Sequence, residues 1–293
     1  MAKPRPFLFL RIETNLFSIL NIFLLLVGLT SQASASTDDL RAMSFNLQTR
    51  LSPFEVGPWA TRKQMIADLL RRERVDVLAT QEATRSMIDD LNHLLPEFSW
   101  VGVGRDDGAD GGEFNAIFYR RDRLSLKQSG TFWLAPDANT PGAKGWDAVL
   151  PRIATWAKFT AVTSGKEFEV LNTHFDHIGS QAREESARLL LGRFGWRLRD
   201  AILILGDFNS QPGSSPYTLL SSLAPDLRDA RTTVAPEGPS WTFPTLGPPQ
   251  QQIDFVFVSN ALLVSRYRHI EEDRGAPHPR SDHLPILVEF NWR

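Results

Sequence analysis

The run Ala201-Ile-Leu-Ile-Leu-Gly-Asp-Phe-Asn-Ser210 carries most of the information about this fold. Its first half, Ala201 to Leu205, is continuously apolar and rich in branched side chains. That pattern fits a strand covered on both faces rather than one with a wet side. Its second half, Gly206-Asp-Phe-Asn209, puts a carboxylate and an amide where the strand ends. Upstream, Ala182 to Arg199 reads as a helix with Leu189, Leu190 and Phe194 inward. Helix, buried strand and polar strand end together indicate a layered α/β protein.

The same alternation extends in both directions. Leu40–Leu47, Val75–Ala79, Phe114–Tyr119, Ile153–Val162, Phe168–Asn172, Ile253–Val258 and Leu284–Phe290 read as strands, and Trp59–Glu73 as a helix with Met65, Ile66, Leu69 and Leu70 on one face. Gly- and Pro-rich loops occupy 104–113, 135–151 and 235–250. Many strands follow one another after residue 98, which favours two packed sheets over one wound sheet.

Composition narrows the function. The 293 residues carry a formal net charge of −2 and no cysteine. Disulfides, thiolate catalysis and zinc–cysteine sites are excluded. Near neutrality argues against a protein that holds long duplex DNA by counterion release. At the N-terminus Lys3, Arg5 and Arg11 precede an apolar stretch from Leu16 to Leu29, then Ala33-Ser-Ala35. This is the layout of a secretory signal over residues 1–35, followed by a domain over 36–293 that is secreted or periplasmic. An uncleaved membrane anchor is the alternative. No later segment is apolar enough to span a bilayer, so no membrane insertion is expected once the signal is removed, and a monomer is expected.

Other chemistry-bearing residues also stand at strand ends. Asn46 closes the first strand, Glu82 follows Val75–Ala79, and His174 follows Leu171-Asn-Thr173. Asp254 opens Ile253–Val258, and Asp282-His283 precedes the last strand. Strand ends of one layered sheet share a rim, so residues far apart in sequence can meet there. Oxygen donors without cysteine select a hard cation, Mg²⁺ or Mn²⁺. Imidazoles beside carboxylates can move protons or stabilise charge. Each residue also has a plainer reading: Asn46 satisfying backbone groups, Glu82 capping the next helix, Asp207 and Asn209 forming a turn.

Taken in order, Met-Ser-Phe-Asn-Leu47, Gln-Glu82, Gly-Glu-Phe-Asn-Ala-Ile-Phe-Tyr-Arg120, Asn-Thr-His-Phe-Asp-His177, Gly-Asp-Phe-Asn-Ser210, Ile-Asp-Phe-Val-Phe-Val-Ser259 and Ser-Asp-His-Leu-Pro285 resemble the motif series of the endonuclease/exonuclease/phosphatase superfamily. The resemblance runs from about residue 40 to the end. It implies a four-layer α/β sandwich, two central mostly antiparallel sheets flanked by helices, and divalent-metal-dependent hydrolysis of phosphoesters. It further implies a metal site of Asn46, Glu82 and Asp282, with Glu82 the main ligand. Asp207 would act on the attacking water. Asn209 and His283 would contact phosphate, with His283 oriented by Asp254. His174 would be a second catalytic imidazole partnered by Glu113, as in the deoxyribonuclease and deadenylase branches. Arg152 and Asn115 are candidate substrate contacts. The leading substrate is a phosphodiester in DNA or RNA. The alternatives are a sphingomyelinase-like or sugar/inositol-phosphate esterase, for which Phe243 and Leu246 are the candidate apolar hairpin, and a catalytically inactive binding module.

Overall fold

The computed structural model describes Met1 and residues 39–49, 56–194, 200–222, 224–243, 249–271 and 279–293. The signal segment, Arg197, Arg199 and Leu246 lie outside the described residues. Two six-stranded sheets form the centre. The first is ordered β13-β14-β1-β2-β6-β4, built from Leu262–His269 (β13), Ile286–Trp292 (β14), Leu40–Asn46 (β1), Val77–Gln81 (β2), Ile117–Arg120 (β6) and Phe98–Val101 (β4). The second is ordered β11-β12-β10-β9-β8-β7, from Leu227–Asp229 (β11), Asp254–Ser259 (β12), Ile202–Asp207 (β10), Glu167–His174 (β9), Ile153–Ala161 (β8) and Leu124–Trp133 (β7). A two-stranded ribbon, Ala83–Thr84 (β3) with Glu113–Phe114 (β5), lies beside the first sheet's polar end.

Each large sheet has one parallel pairing, β1 with β2 and β9 with β10, and is otherwise antiparallel. Three apolar layers hold the stack together. Inward-facing residues of both sheets, among them Val77, Ile117, Val170, Leu203, Leu205, Val256 and Ile286, form the central one. Helices Trp59–Arg72 (α1) and Arg85–Leu94 (α2) cover the first sheet through Ile66, Leu69, Leu70, Met87, Ile88 and Leu91. Helices Ser180–Phe194 (α3) and Ser215–Ser221 (α4) cover the second through Ala187, Leu190, Phe194, Leu219 and Leu220. The result is the expected four-layer sandwich. Both faces of β10 are therefore buried, as its unbroken apolar run requires.

The predicted strand over Phe114–Tyr119 is two strands. Asn115 and Ala116 break the pairing, leaving β5 in the ribbon and β6 in the first sheet. Strands β4, β7, β11 and β13 and helices α2 and α4 add to the elements read from the sequence. Among the described residues no helix is long and apolar enough to cross a membrane.

Candidate active site

Topology brings the polar strand ends together. Asn46, Gln81, His174 and Asp207 are the last residues of β1, β2, β9 and β10. Strands β12 and β14 run antiparallel to their neighbours, so their beginnings, next to Asp254 and Asp282-His283, reach the same rim. An amide latch joins the two sheets there. Gln81 Nε2 donates to Asn172 Oδ1 at 2.7 Å, and Asn172 Nδ2 donates to the carbonyls of Thr80 and Ala116. Gly206 is needed for the sheet to close at this level. A Cβ there would lie 2.0 Å from the Thr173 carbonyl oxygen on β9. The backbone of Glu82, Asn209 and Gln48 takes positive φ (61°, 47° and 51°), a conformation costly for a glutamate and characteristic of functional sites.

Asp207 is the point of convergence. It is 2 % exposed. Its Oδ1 accepts from the Asn209 amide at 2.9 Å. Its Oδ2 accepts from Asn46 Nδ2 at 3.0 Å and lies 3.5 Å from His174 Nε2 and 3.8 Å from His283 Nε2. Burial, and then the charge of Asp254, push its carboxyl up to about 7. The two imidazoles are driven in opposite directions. Burial would lower His283, but Asp254, at 2.9 Å from Nδ1, and the charges of Asp207 and Asp282 outweigh it and raise the ring to about 10. Phe243 stacks on that ring, centroids 4.6 Å apart, and shields it from water. His174 has no such carboxylate partner. Burial, then the charges of Arg152 and Arg105, hold it well below the usual histidine range. Both imidazoles thus approach the same oxygen of Asp207, with their affinities for a proton pushed in opposite directions. Such a split separates proton-donating from proton-accepting roles.

The pairing expected between Asp254 and His283 is formed; the one expected between Glu113 and His174 is not. Glu113 Oε2 is held by Arg105 Nη1 at 2.5 Å, and Nδ1 of His174 has no hydrogen-bond partner. Glu113 stands in the ribbon, and a neighbouring guanidinium outcompetes a buried neutral imidazole for its carboxylate.

Asn46 and Glu82 meet beside Asp207, and Asp282 is joined to Asn46 through Ser281, whose Oγ reaches the Asn46 carbonyl and Asp282 Oδ1. Asn46 Nδ2 donates to Glu82 Oε1 as well as to Asp207, both at 3.0 Å. Burial and the charge of Glu82 raise Asp282, although His283 pulls it down. Carboxylates that converge on one amide, in a setting that penalises their charge, fit a hard divalent cation held mainly by oxygen. The tightest group of ligand-type atoms among the described residues is a different one: Asp207, Asp254 and His283, all within 4.8 Å. His283 there is tied through Nδ1 to Asp254, which fixes the ring with Nε2 toward Asp207. That trio is a chain of ion pairs.

Two arginines complete the rim. Arg152, 4 % exposed, donates to Asp176 Oδ2 at 3.4 Å and lies 2.9 Å from His177 Nδ1, while its Nη1 has no partner. Asp176 also accepts from the amides of Ile178 and Gly179. Asn115 donates to the Ile153 carbonyl at 2.7 Å, so its side chain braces the strand after Arg152. Arg105 is a site residue the motifs did not indicate. It is 8 % exposed, and Trp133 Nε1 fixes its carbonyl at 2.7 Å. Lying in a Gly-rich loop, it had no periodic signal to mark it.

The comparisons agree with this geometry. The model of the endonuclease/exonuclease/phosphatase family matches residues 43–283. A solved endonuclease/exonuclease/phosphatase from Bacteroides vulgatus is 35 % identical, covers 87 % of this chain and 99 % of its own, and superposes with a TM-score of 0.82. A mannosyl-6-phosphatase from Bacteroides thetaiotaomicron is 33 % identical over 86 % of this chain and 100 % of its own, with a TM-score of 0.78. Mouse nocturnin is 23 % identical over 91 % of this chain and 68 % of its own length. The chain belongs to the endonuclease/exonuclease/phosphatase family, whose members are hydrolases acting on phosphoester bonds.

Proposed function

We propose that this protein is a divalent-metal-dependent phosphoester hydrolase acting on small phosphate esters, of which sugar phosphates are the leading class. The reaction class rests on one observation: the buried Asp207 carboxylate lies within 4 Å of two imidazoles, beside a cluster of oxygen donors. Asp207 accepts the proton of the attacking water. His283, held cationic by Asp254, donates to a phosphoryl oxygen as charge builds on it. Asn209, next to Asp207, contacts the phosphate. Arg152, with a free buried N–H, and Arg105 set the phosphate against these groups. A Mg²⁺ or Mn²⁺ ion bound by Asn46, Glu82 and Asp282 would supply Lewis-acid stabilisation of the phosphoryl group.

The substrate class rests on charge. Two open clefts of about 680 and 610 Å³ flank the centre. The first includes Arg183 but also Glu184 and Glu185. In the second, Arg85 and Arg105 face Asp89, Asp106, Asp110 and Glu113, and both arginines are paired with these acids. In the second cleft both arginines are already paired, and in the first Arg183 shares the lining with two glutamates; a long polyanion needs unpaired positive charge along its track. A short polar ester does not need it. Likeness over the full length of a mannosyl-6-phosphatase points the same way. The nucleic-acid reading is the competitor. Hexose 6-phosphates, bis(p-nitrophenyl) phosphate and short DNA and RNA oligonucleotides, assayed with Mg²⁺, Mn²⁺ and EDTA, decide between them. Metal-dependent phosphate release from hexose phosphates is the expected result. Preferential cleavage of oligonucleotides would overturn the substrate class, and no hydrolysis of any of them would overturn the whole reading.

A further inference from the structure

Arg62 lies in the first turns of α1, yet it is among the largest fully buried side chains in the protein, at 1 % exposure. Among the described residues its guanidinium touches no carboxylate. It donates to four backbone carbonyls instead: Gly57 from Nε at 2.8 Å, Leu47 and Arg280 from Nη1 at 2.6 and 2.7 Å, and Gln48 from Nη2 at 3.0 Å. Gly57 is local to α1; the other three carbonyls belong to two segments that are far apart in sequence. Leu47 and Gln48 follow directly on Asn46, and Arg280 stands two residues before Asp282. Each segment then orients its own site residue. The Gln48 amide donates to Asn46 Oδ1 at 3.0 Å, and Ser281 Oγ donates to the Asn46 carbonyl at 2.6 Å while receiving the His283 amide at 3.1 Å. Glu82 is tied to the same segment, its Oε2 accepting from the Thr49 amide at 2.9 Å.

We propose that Arg62 is a positioning residue for the divalent cation: its fork clasps the chain after Asn46 to the chain before Asp282, so that the cation meets ligands already in place. This rests on the reading of Asn46, Glu82 and Asp282 as the cation's ligands. Burying a guanidinium is costly, and the molecule satisfies it with four carbonyls where an apolar side chain would pack the helix equally well. Burial lowers it to about 10, so it stays cationic at neutral pH, and the charges of Asp282 and Glu82 favour that form. It therefore also offsets the repulsion among the carboxylates before a cation binds. Lysine keeps the charge but presents one compact ammonium that cannot span four carbonyls in a plane.

The test is the affinity of the purified protein for Mn²⁺, measured by isothermal titration calorimetry on Arg62→Lys. Loss of support behind metal ligands typically weakens binding about 10–100-fold, and that is the expected shift, with turnover recovering at saturating Mn²⁺. Met87→Ala serves as control: Met87 is fully buried in the apolar layer between α2 and the first sheet, and its loss should lower the melting temperature without moving Mn²⁺ affinity. Unchanged Mn²⁺ affinity in Arg62→Lys, or an equal shift in Met87→Ala, overturns the proposal. If Arg62→Lys does not fold, hydrogen exchange of the metal-free wild type decides. The Gln48 and His283 amides should already be as protected as neighbouring strand amides; protection that appears only with Mn²⁺ overturns it. Failure of the underlying reading looks different: Glu82→Ala would then bind Mn²⁺ as tightly as the wild type.

Discussion

Replacing Asp254 with asparagine tests the electrostatic centre of the site through stability as well as rate. Asp254 Oδ2 lies 2.9 Å from His283 Nδ1, and both side chains are almost wholly buried. Burial alone would favour neutral His283, but Asp254 leads the charges that raise it from 6.5 to about 10. A group whose folded pKa is raised contributes stability that is fully present below its unfolded value and is lost as pH rises to the folded one. The window therefore runs from about 6.5 to about 10. At 1.36 kcal/mol per pKa unit the ceiling is ~5 kcal/mol below about pH 6, falling to ~3 kcal/mol near pH 7.5 and close to nothing above about pH 10. Asp207 and Asp282 still face the ring in Asp254→Asn, so the variant should lose only part of this, roughly 2–4 kcal/mol near pH 6. Urea unfolding of both proteins at about pH 6, 8 and 10 measures the difference, which should shrink as pH rises. Stability curves that stay parallel across that range would refute the claim that Asp254 holds His283 charged. In turnover, the loss of the imidazolium should cost about 10²–10³-fold near neutral pH.

Asp207→Asn should lower kcat by about 10²–10⁴-fold with little change in KM, since asparagine keeps the size but cannot accept the proton; a raised KM at unchanged kcat would make Asp207 a binding residue. Glu82→Ala should abolish metal-dependent turnover while leaving the melting temperature of the metal-free protein unchanged or higher, because a carboxylate that repels Asp282 and Glu113 is gone; full activity at low metal would remove Glu82 from the ligand set. Burial raises both Asp207 and Asp282, so protons compete with the cation, and Mn²⁺ affinity should increase from about pH 5 to about pH 8; an affinity flat over that range would contradict the shifts. N-terminal sequencing of the exported protein should begin near Ser36, and recovery of the full-length chain in the membrane fraction would support the anchor instead.

Local pattern in the sequence determined the layered class and most of the rim. The apolar run before Gly206 and the helical spacing in α1 and α3 are short-range signals, and a polar residue at the end of a buried strand is conspicuous because the strand itself is not polar. Strands β7 and β13 were harder to see. Polar residues break the run in Leu124–Trp133, and Arg266 and Arg268 interrupt the alternation in Leu262–His269, as happens where one face of a strand near a sheet edge meets water. What only tertiary structure decided is which side chains pair. Asp254 meets His283 because β12 and β14 bring their starts to one rim. Glu113 could not be assigned from its motif, since its partner depends on where the loop before it delivers Arg105. Arg62 carries no signal in the sequence, because a guanidinium held by carbonyls from distant segments leaves no mark on the periodicity of its own helix. Hydrogen-bond pairing is a matter of ångströms between residues tens to hundreds of positions apart, and only the packed sheets fix distances on that scale.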